Sequence, residues 1–170
     1  MNLQPMQLGY VVDNIDAAIR YWTKVIGAGP FFVFEAGEWS KLYHKGKPTD
    51  VKMRLSIGQW NNLQIELIEQ LNDAPSPYLD FRAQNLRGLH HIGVLVDDLD
   101  ADVAEFTKRG KPPVYHGATP QGFRFAYLVD DEHPGAMIEL IERGPASNAL
   151  VALVADAAKN WDGSNPVRTV

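Results

Sequence analysis

His90–Asp100 reads HHIGVLVDDLD, and Met6–Asp16 reads MQLGYVVDNID. Aligned without a gap, Gln7 falls on His91, Gly9 on Gly93, Val12 on Val96, Asp13 on Asp97 and Asp16 on Asp100, at a constant offset (91 − 7 = 84). A second pair follows: Leu63–Gln70 (LQIELIEQ) matches Ala136–Arg143 (AMIELIER) and sets Glu66 opposite Glu139 (139 − 66 = 73). The chain therefore reads as two copies of one unit. The difference between the offsets (84 − 73 = 11) gives the first copy eleven extra residues. They are expected within Ala36–Asp50, whose Gly37, Gly46 and Pro48 suggest a loop or irregular excursion that could serve as a lid.

Each copy opens with an apolar, β-branched run and changes period at an Asp/Asn cap. In the first copy Ile15, Ile19, Trp22 and Ile26 then recur at helical spacing up to Gly27. Phe31–Glu35, Lys52–Ile57 and Leu63–Glu69 supply three further strands, so the unit is β-α-β-β-β. The second copy repeats this order. A strand at Leu89–Val96 is followed by a helix from Leu99 to the stop at Gly110, and by strands at Lys111–His116, Phe123–Val129 and Ala136–Glu142, with Asp130–Gly135 as the last turn. The expected organisation is a first module over 1–70, a linker over 71–88 with a short helix from Pro77 to Gln84, a second module over 89–143, and a C-terminal helix and tail over 144–170. That helix is expected to cover a sheet edge or a dimer surface, or else to act as a lid, and the tail WDGSNPVRTV to be loosely held. The fold class is α+β, with two tandem βαβββ modules curving into a mixed sheet around a cavity.

At 170 residues, with 45% hydrophobic and 22% charged residues, the chain has the composition of a globular protein. A net charge of −5 and no basic cluster with interleaved aromatics argue against nucleic acid as a partner. No stretch approaches a membrane span, no leader is evident at MNLQPMQL, and the expected location is the cytoplasm. With no cysteine present, any metal must be held by nitrogen and oxygen.

Strand parity decides which side chains meet. Ile65 and Leu67, like Ile138 and Leu140, form the face that should pack under the helices, so Glu66 and Glu139 project to the opposite side of the sheet. On the opening strands Leu8, Tyr10 and Val12 claim the helix side, as do Ile92, Val94 and Val96, which turns Gln7 and His91 toward the glutamates. Taken singly, a strand Glu or His is more often solvated or hydrogen-bonded than a ligand; what distinguishes these is their recurrence at equivalent positions. If the sheet curls round a cavity, three oxygen donors and one imidazole converge on a site suited to Zn, Ni, Co, Mn or Fe(II), with positions left for water. Such a metal would polarise a carbonyl or stabilise an enediolate, with a loosely bound glutamate as general base.

Paired β-α-β-β-β modules, with HIGVLVDDLD opening one and IELIE closing each, resemble the vicinal oxygen chelate superfamily, which includes glyoxalase I, methylmalonyl-CoA epimerase, extradiol dioxygenases and bleomycin-resistance proteins. The resemblance implies metal ligands on the first and last strand of each module, here Gln7, Glu66, His91 and Glu139. This set is similar to that of zinc-dependent glyoxalase I and implies one divalent metal ion, Zn foremost. Gln7 stands where the dioxygenases and the epimerase place a histidine. The expected function is a metal-dependent lyase or isomerase acting by proton transfer next to a metal-bound carbonyl of a small oxygenated substrate, with Glu139 as general base and Glu66 as its competitor. A metal-free binding or resistance protein and an Fe(II) ring-cleaving dioxygenase are the alternatives, and members of the fold imply a homodimer.

Aromatic residues are expected to line part of the cavity. Phe32, Trp39, Trp60 and Phe123 are candidate substrate contacts, and Arg124 is a candidate partner for a substrate carboxylate or phosphate. His90 is expected to face away from His91 and to pack or hydrogen-bond, while His44 is the loop histidine of most interest. Asp13, Asp97 and Asp98 are read as helix starters.

Overall fold

The computed structural model describes residues 3–128 and 136–169; the turn expected over Asp130–Gly135, with His133, lies outside them. In the first copy β1 (Pro5–Val11) leads into α1 (Ile15–Tyr21), which a π-helical turn at Trp22–Ile26 extends to Gly27, the left-handed C-cap at φ 79°. Next come β2 (Phe31–Ala36), β3 (Lys41–His44), β4 (Lys47–Pro48), β5 (Met53–Trp60) and β6 (Leu63–Gln70). After α2 (Pro77–Ala83), the second copy runs β7 (Gly88–Val96), α3 (Leu99–Lys108), β8 (Pro113–Ala118), β9 (Arg124–Leu128) and β10 (Met137–Glu142), and the chain closes with α4 (Pro145–Ala158) and β11 (Val167–Thr169).

All described strands belong to one curved, unclosed mixed sheet in the order β11-β2-β5-β6-β1-β7-β10-β9-β8-β3-β4. Its centre is a near two-fold arrangement. β1 pairs in parallel with β6, β7 in parallel with β10, and β1 meets β7 antiparallel, so the two copies join within one chain. The eleven-residue excess is no free loop: β3 and β4 form a hairpin, and β3 extends the second copy's sheet by pairing with β8. Nor is the tail loose, since β11 pairs in parallel with β2 and covers the opposite edge.

One face of the sheet carries the helices. Ile65 and Leu67 pack with Ile15, Ile19 and Trp22 of the α1 segment, and Val94, Val96 and Leu140 with Leu99 under α3. Burying each such side chain stabilises the fold by about 1.5–3 kcal/mol. Each helix is held by the same local chemistry. Asn14 and Asp98 accept from the backbone N–H groups of Ala17 and Ala101, and Glu69 and Glu142 accept from those of Ile15 and Leu99. Asp13 and Asp97 are not caps; Asp13 pairs with Arg82 and Arg87, and Asp97 with Arg143.

The other face is wrapped into a cavity by the curvature of the sheet. α4 lies on this side: Val154, fully buried, packs on Phe32 and Ile57, with Leu150 and Ala157 beside it. It therefore roofs the inner face and does not cover a sheet edge. α2 closes another part through Tyr78, whose hydroxyl lies 3.1 Å from that of Tyr127. No helix among the described residues is long and apolar enough to cross a membrane.

Candidate metal centre

Gln7 of β1, Glu66 of β6 and Glu139 of β10 turn inward together and are buried. His91 reaches the same place from β7 and is fully buried. Its Nε2 lies 3.2 Å from Oε2 of Glu66 and 3.1 Å from Oε2 of Glu139, and the donor atoms of these three residues all lie within 4.8 Å of one another. The structure thus brings Glu66, His91 and Glu139 into one cluster, and Gln7 lines the same cavity.

Two glycines make this approach possible. β1 and β7 run antiparallel with Gln7 opposite Gly93 and Gly9 opposite His91. The His91 ring lies over Gly9, where a Cβ would sit 1.8 Å from Cε1, and the Gln7 side chain lies over Gly93, where a Cβ would sit 2.9 Å from Oε1. The repeated Gly is therefore the seat for the ligand candidate of the other copy. The alignment of Gly9 with Gly93 was the signal for it in the sequence.

Electrostatics tie the group into one unit. Burial alone would push His91 down, but the carboxylates of Glu139 and Glu66 outweigh it and raise the imidazole to about 9. Burial pushes the Glu139 carboxyl up, with His91 opposing. Oε1 of Gln7, Nε2 of His91 and Oε2 of Glu139 are buried without a hydrogen-bond partner, although the imidazole and carboxylates are within ion-pair distance. Buried polar atoms that face one another without hydrogen-bond geometry are costly unless something else satisfies them. Two carboxylate oxygens, an amide oxygen and an imidazole nitrogen are the donor set a borderline divalent cation takes, so the residues present fit a metal.

The pairing of β1 with β7 is irregular at two places: one lies between Pro5 and Gln7, where Met6 comes to line the cavity beside Gln7, and the other affects the histidines. The register between β1 and β7 slips between Gly9 and Tyr10, opposite the Leu89–His91 stretch, and this bulge brings His90 to the same side as His91. His90 is buried, packs against Tyr78, Phe81 and Tyr127, and sets its Nδ1 3.2 Å from Nδ1 of His91. It does pack and hydrogen-bond, but it does not face away.

The cavity beside the cluster has a volume of about 230 Å³. Trp39 and Phe123 line it, with Phe34, Met53, Leu55, Phe125 and Tyr127. The other three expected substrate contacts lie elsewhere. Phe32 is on the inner face but buried beneath α4. Trp60 stands on the helix side, 5.8 Å from Trp22 between ring centroids. Arg124 points away from the cavity because its neighbour Phe125 points in, and it pairs with Asp100 at the start of α3 and with Glu142 of β10. Arg54 does the same for α1 through Asp16. His44 lies away from the cluster, paired with Asp80 of α2 at 2.9 Å. Residues not foreseen are Tyr78, Gln64, which accepts from Nε2 of Gln7 at 3.4 Å, and Leu150 and Val151 of α4.

The arrangement defines a class: a duplicated βαβββ sheet with a buried acid–histidine–acid group at its centre. The chain belongs to the glyoxalase/bleomycin resistance protein/dioxygenase superfamily, whose sequence profile matches residues 6–127. No curated protein sequence matches it. Among solved structures it is similar to a hypothetical protein from Bacillus halodurans C-125, with 18% identity, a TM-score of 0.59, and 85% of this chain and 96% of that one covered. It is similar as well to methylmalonyl-CoA epimerase from Mycobacterium tuberculosis (21%, 0.58, 85% and 91%). A Streptomyces coelicolor methylmalonyl-CoA epimerase variant in complex with 2-nitronate-propionyl-CoA is a third (19%, 0.58, 85% and 97%). At these identities the likeness is one of fold.

Proposed function

We propose that this protein is a metal-dependent isomerase or lyase that moves a proton at the carbon next to a carbonyl of a small, uncharged, oxygenated substrate. The observation that carries this reading is the buried Glu66–His91–Glu139 group at the inner end of an apolar cavity, in which Nε2 of His91 and Oε2 of Glu139 lack hydrogen-bond partners. Gln7, Glu66, His91 and Glu139 would hold one divalent cation, Zn²⁺ foremost and Ni²⁺, Co²⁺, Mn²⁺ or Fe²⁺ as alternatives, and this ligand set is the one expected of a glyoxalase-I-like site. A cation bound there supplies Lewis-acid polarisation of the carbonyl, which acidifies the neighbouring C–H.

The chain's own residues do the rest. Glu139 takes the proton: burial raises its carboxyl, and a raised carboxylate is a stronger base. Glu66 faces the same space from the other copy, so a proton taken by one carboxylate can be returned by the other. The aromatic and aliphatic walls, roofed by Leu150 and Val151, exclude water from the reacting carbon.

The lining also bears on the substrate. Among the described residues its charged side chains are Glu66 and Glu139, and the groove at the mouth adds Glu35, Glu38 and Lys52. Residues 1–2, 129–135 and 170 contain no lysine or arginine. A carrier with several phosphates or carboxylates needs matching cations along its path, so we favour an apolar or aromatic substrate over a coenzyme A thioester or a glutathione adduct.

The test is metal analysis of the purified protein after Zn²⁺ loading, with His91→Ala and Glu139→Gln alongside, and solvent-deuterium incorporation next to the carbonyl of a panel of neutral α-hydroxy ketones. One equivalent of metal, lost in His91→Ala, and isotope uptake lost in Glu139→Gln are expected. Absence of stoichiometric metal with His91→Ala unchanged overturns the metal-site reading. Turnover of methylglyoxal with glutathione would overturn only the uncharged-substrate part.

A further inference from the structure

We propose that His90 is the outer-sphere acceptor that fixes the His91 proton on Nδ1 and so turns the lone pair of Nε2 toward Glu66, Glu139 and the cation between them. The inference rests on the metal-site reading above. Nδ1 of His90 and Nδ1 of His91 are 3.2 Å apart and both rings are buried. At that separation the two nitrogens share one hydrogen, and one ring donates while the other accepts. If His90 donates, the remaining proton of a neutral His91 sits on Nε2, pointed at the carboxylates, and the ring offers a cation nothing. If His91 donates, Nε2 is bare. Only the second arrangement makes His91 a ligand.

A ligating histidine ordinarily anchors its other N–H on a carboxylate, a backbone carbonyl or water. A neutral imidazole in that place adds no third negative charge beside Glu66 and Glu139. The fold goes to some length to put it there. The β7 bulge breaks the alternation so that two successive histidines share a side, and Tyr78, Phe81 and Tyr127 hold the His90 ring with centroids 5.1, 5.2 and 5.9 Å away. With Nδ1 accepting, the His90 proton belongs on Nε2, which is buried without a hydrogen-bond partner, the Pro77 backbone being the group nearby that favours a proton on this ring. His90 is thus a positioning residue: it acts on a cation only through His91.

Two measurements test this on the full chain. Imidazole ¹⁵N spectra of the metal-free and Zn²⁺-loaded protein report which nitrogen of each ring carries hydrogen. Competition titration with Zn²⁺ compares the wild type with His90→Phe, which fills the volume without an acceptor, and His90→Asn, whose amide oxygen can occupy the Nδ1 position. We expect hydrogen on Nε2 of His90 in both states. His90→Phe should bind Zn²⁺ about 10- to 100-fold more weakly, and His90→Asn should recover most of that loss, with thermal melts verifying that both variants are folded. Hydrogen on Nδ1 of His90, or wild-type affinity in folded His90→Phe, overturns the proposal. If the wild type takes up no Zn²⁺ the metal reading itself fails, and the His90 proton in the metal-free protein, recorded at a pH where His91 is neutral, still decides whether His90 is an acceptor. If His90→Phe does not fold, the wild-type spectra and His90→Asn decide.

Discussion

A single methyl group distinguishes the two sides of the β1–β7 joint. At Gly9 an added Cβ would meet three atoms of the His91 ring, the nearest at 1.8 Å, and a rigid imidazole cannot yield without leaving its place. At Gly93 the obstacle is the Gln7 side chain, at 2.9 Å from Oε1 and 3.0 Å from Cβ, whose amide end can swing. Gly9→Ala should therefore destabilise the fold by about 1–3 kcal/mol, as overpacking does, and weaken Zn²⁺ uptake far more than Gly93→Ala; melting curves and Zn²⁺ titration of the pair check the order. At this scale the sequence was legible wherever the strand stayed regular. Alternation alone turned Gln7, Glu66 and Glu139 to one side. It misplaced His90 because a one-residue bulge carries no mark in the pattern of apolar and polar letters. Arg124 and Trp60 are the opposite case, since the rule was available for them and parity with Phe125 and Ile57 already points them out of the cavity.

Among the elements, the repeated arginine clasp and the roof helix divide structural from functional roles. Arg124 with Asp100 and Glu142, and Arg54 with Asp16, tie β9 to α3 and β5 to α1 at the surface. Surface pairs of this kind contribute at most about 1 kcal/mol. Arg124→Met should lower the melting temperature slightly and leave KM for any substrate unchanged; a large rise in KM would restore Arg124 as a binding residue. In α4, Val154 is enclosed between Phe32 and Ile57 while Leu150 lines the cavity. Val154→Ala should cost about 1–2 kcal/mol of stability, whereas Leu150→Ala should shift substrate preference toward larger molecules at a smaller cost, as paired unfolding and kinetic measurements would show. The helix itself was legible from its apolar spacing, but not its seat on the inner face, which depends on how far the sheet curls. The β3–β4 hairpin was hidden in the same way, because its partner β8 lies some seventy residues further along the chain.

For the molecule as a whole, the near two-fold sheet was readable from the repeats, because two copies of one pattern with matching parity leave few ways to share a core. Linkage between protons, metal and stability then follows. In the metal-free protein His91 is raised to about 9 and Glu139 is raised as well. A group raised on folding contributes stability that is complete below its unfolded value and is lost as pH climbs through the folded one, so both act in the same sense. Metal-free protein should therefore lose stability as pH rises from about 6.5 toward about 9. Saturating Zn²⁺ should offset that loss, since the cation takes the place of the proton, and Zn²⁺ affinity should strengthen over the same interval. Urea melts at several pH values with and without Zn²⁺ would show this; a metal-free protein whose stability increases across that range would contradict it. Because β3 crosses to β8 and β1 binds β7, those melts should show one cooperative transition and not two.

The reciprocal glycine seats have a further consequence for the life of the chain. Neither half owns a finished binding site, because His91 is aimed by Gly9 of the other copy and Gln7 by Gly93. A nascent or partly folded chain offers only scattered donors, so a cation held as proposed would be captured only once the halves have docked. Occupancy by metal would then be a certificate of completed assembly, issued by the joint between the two copies.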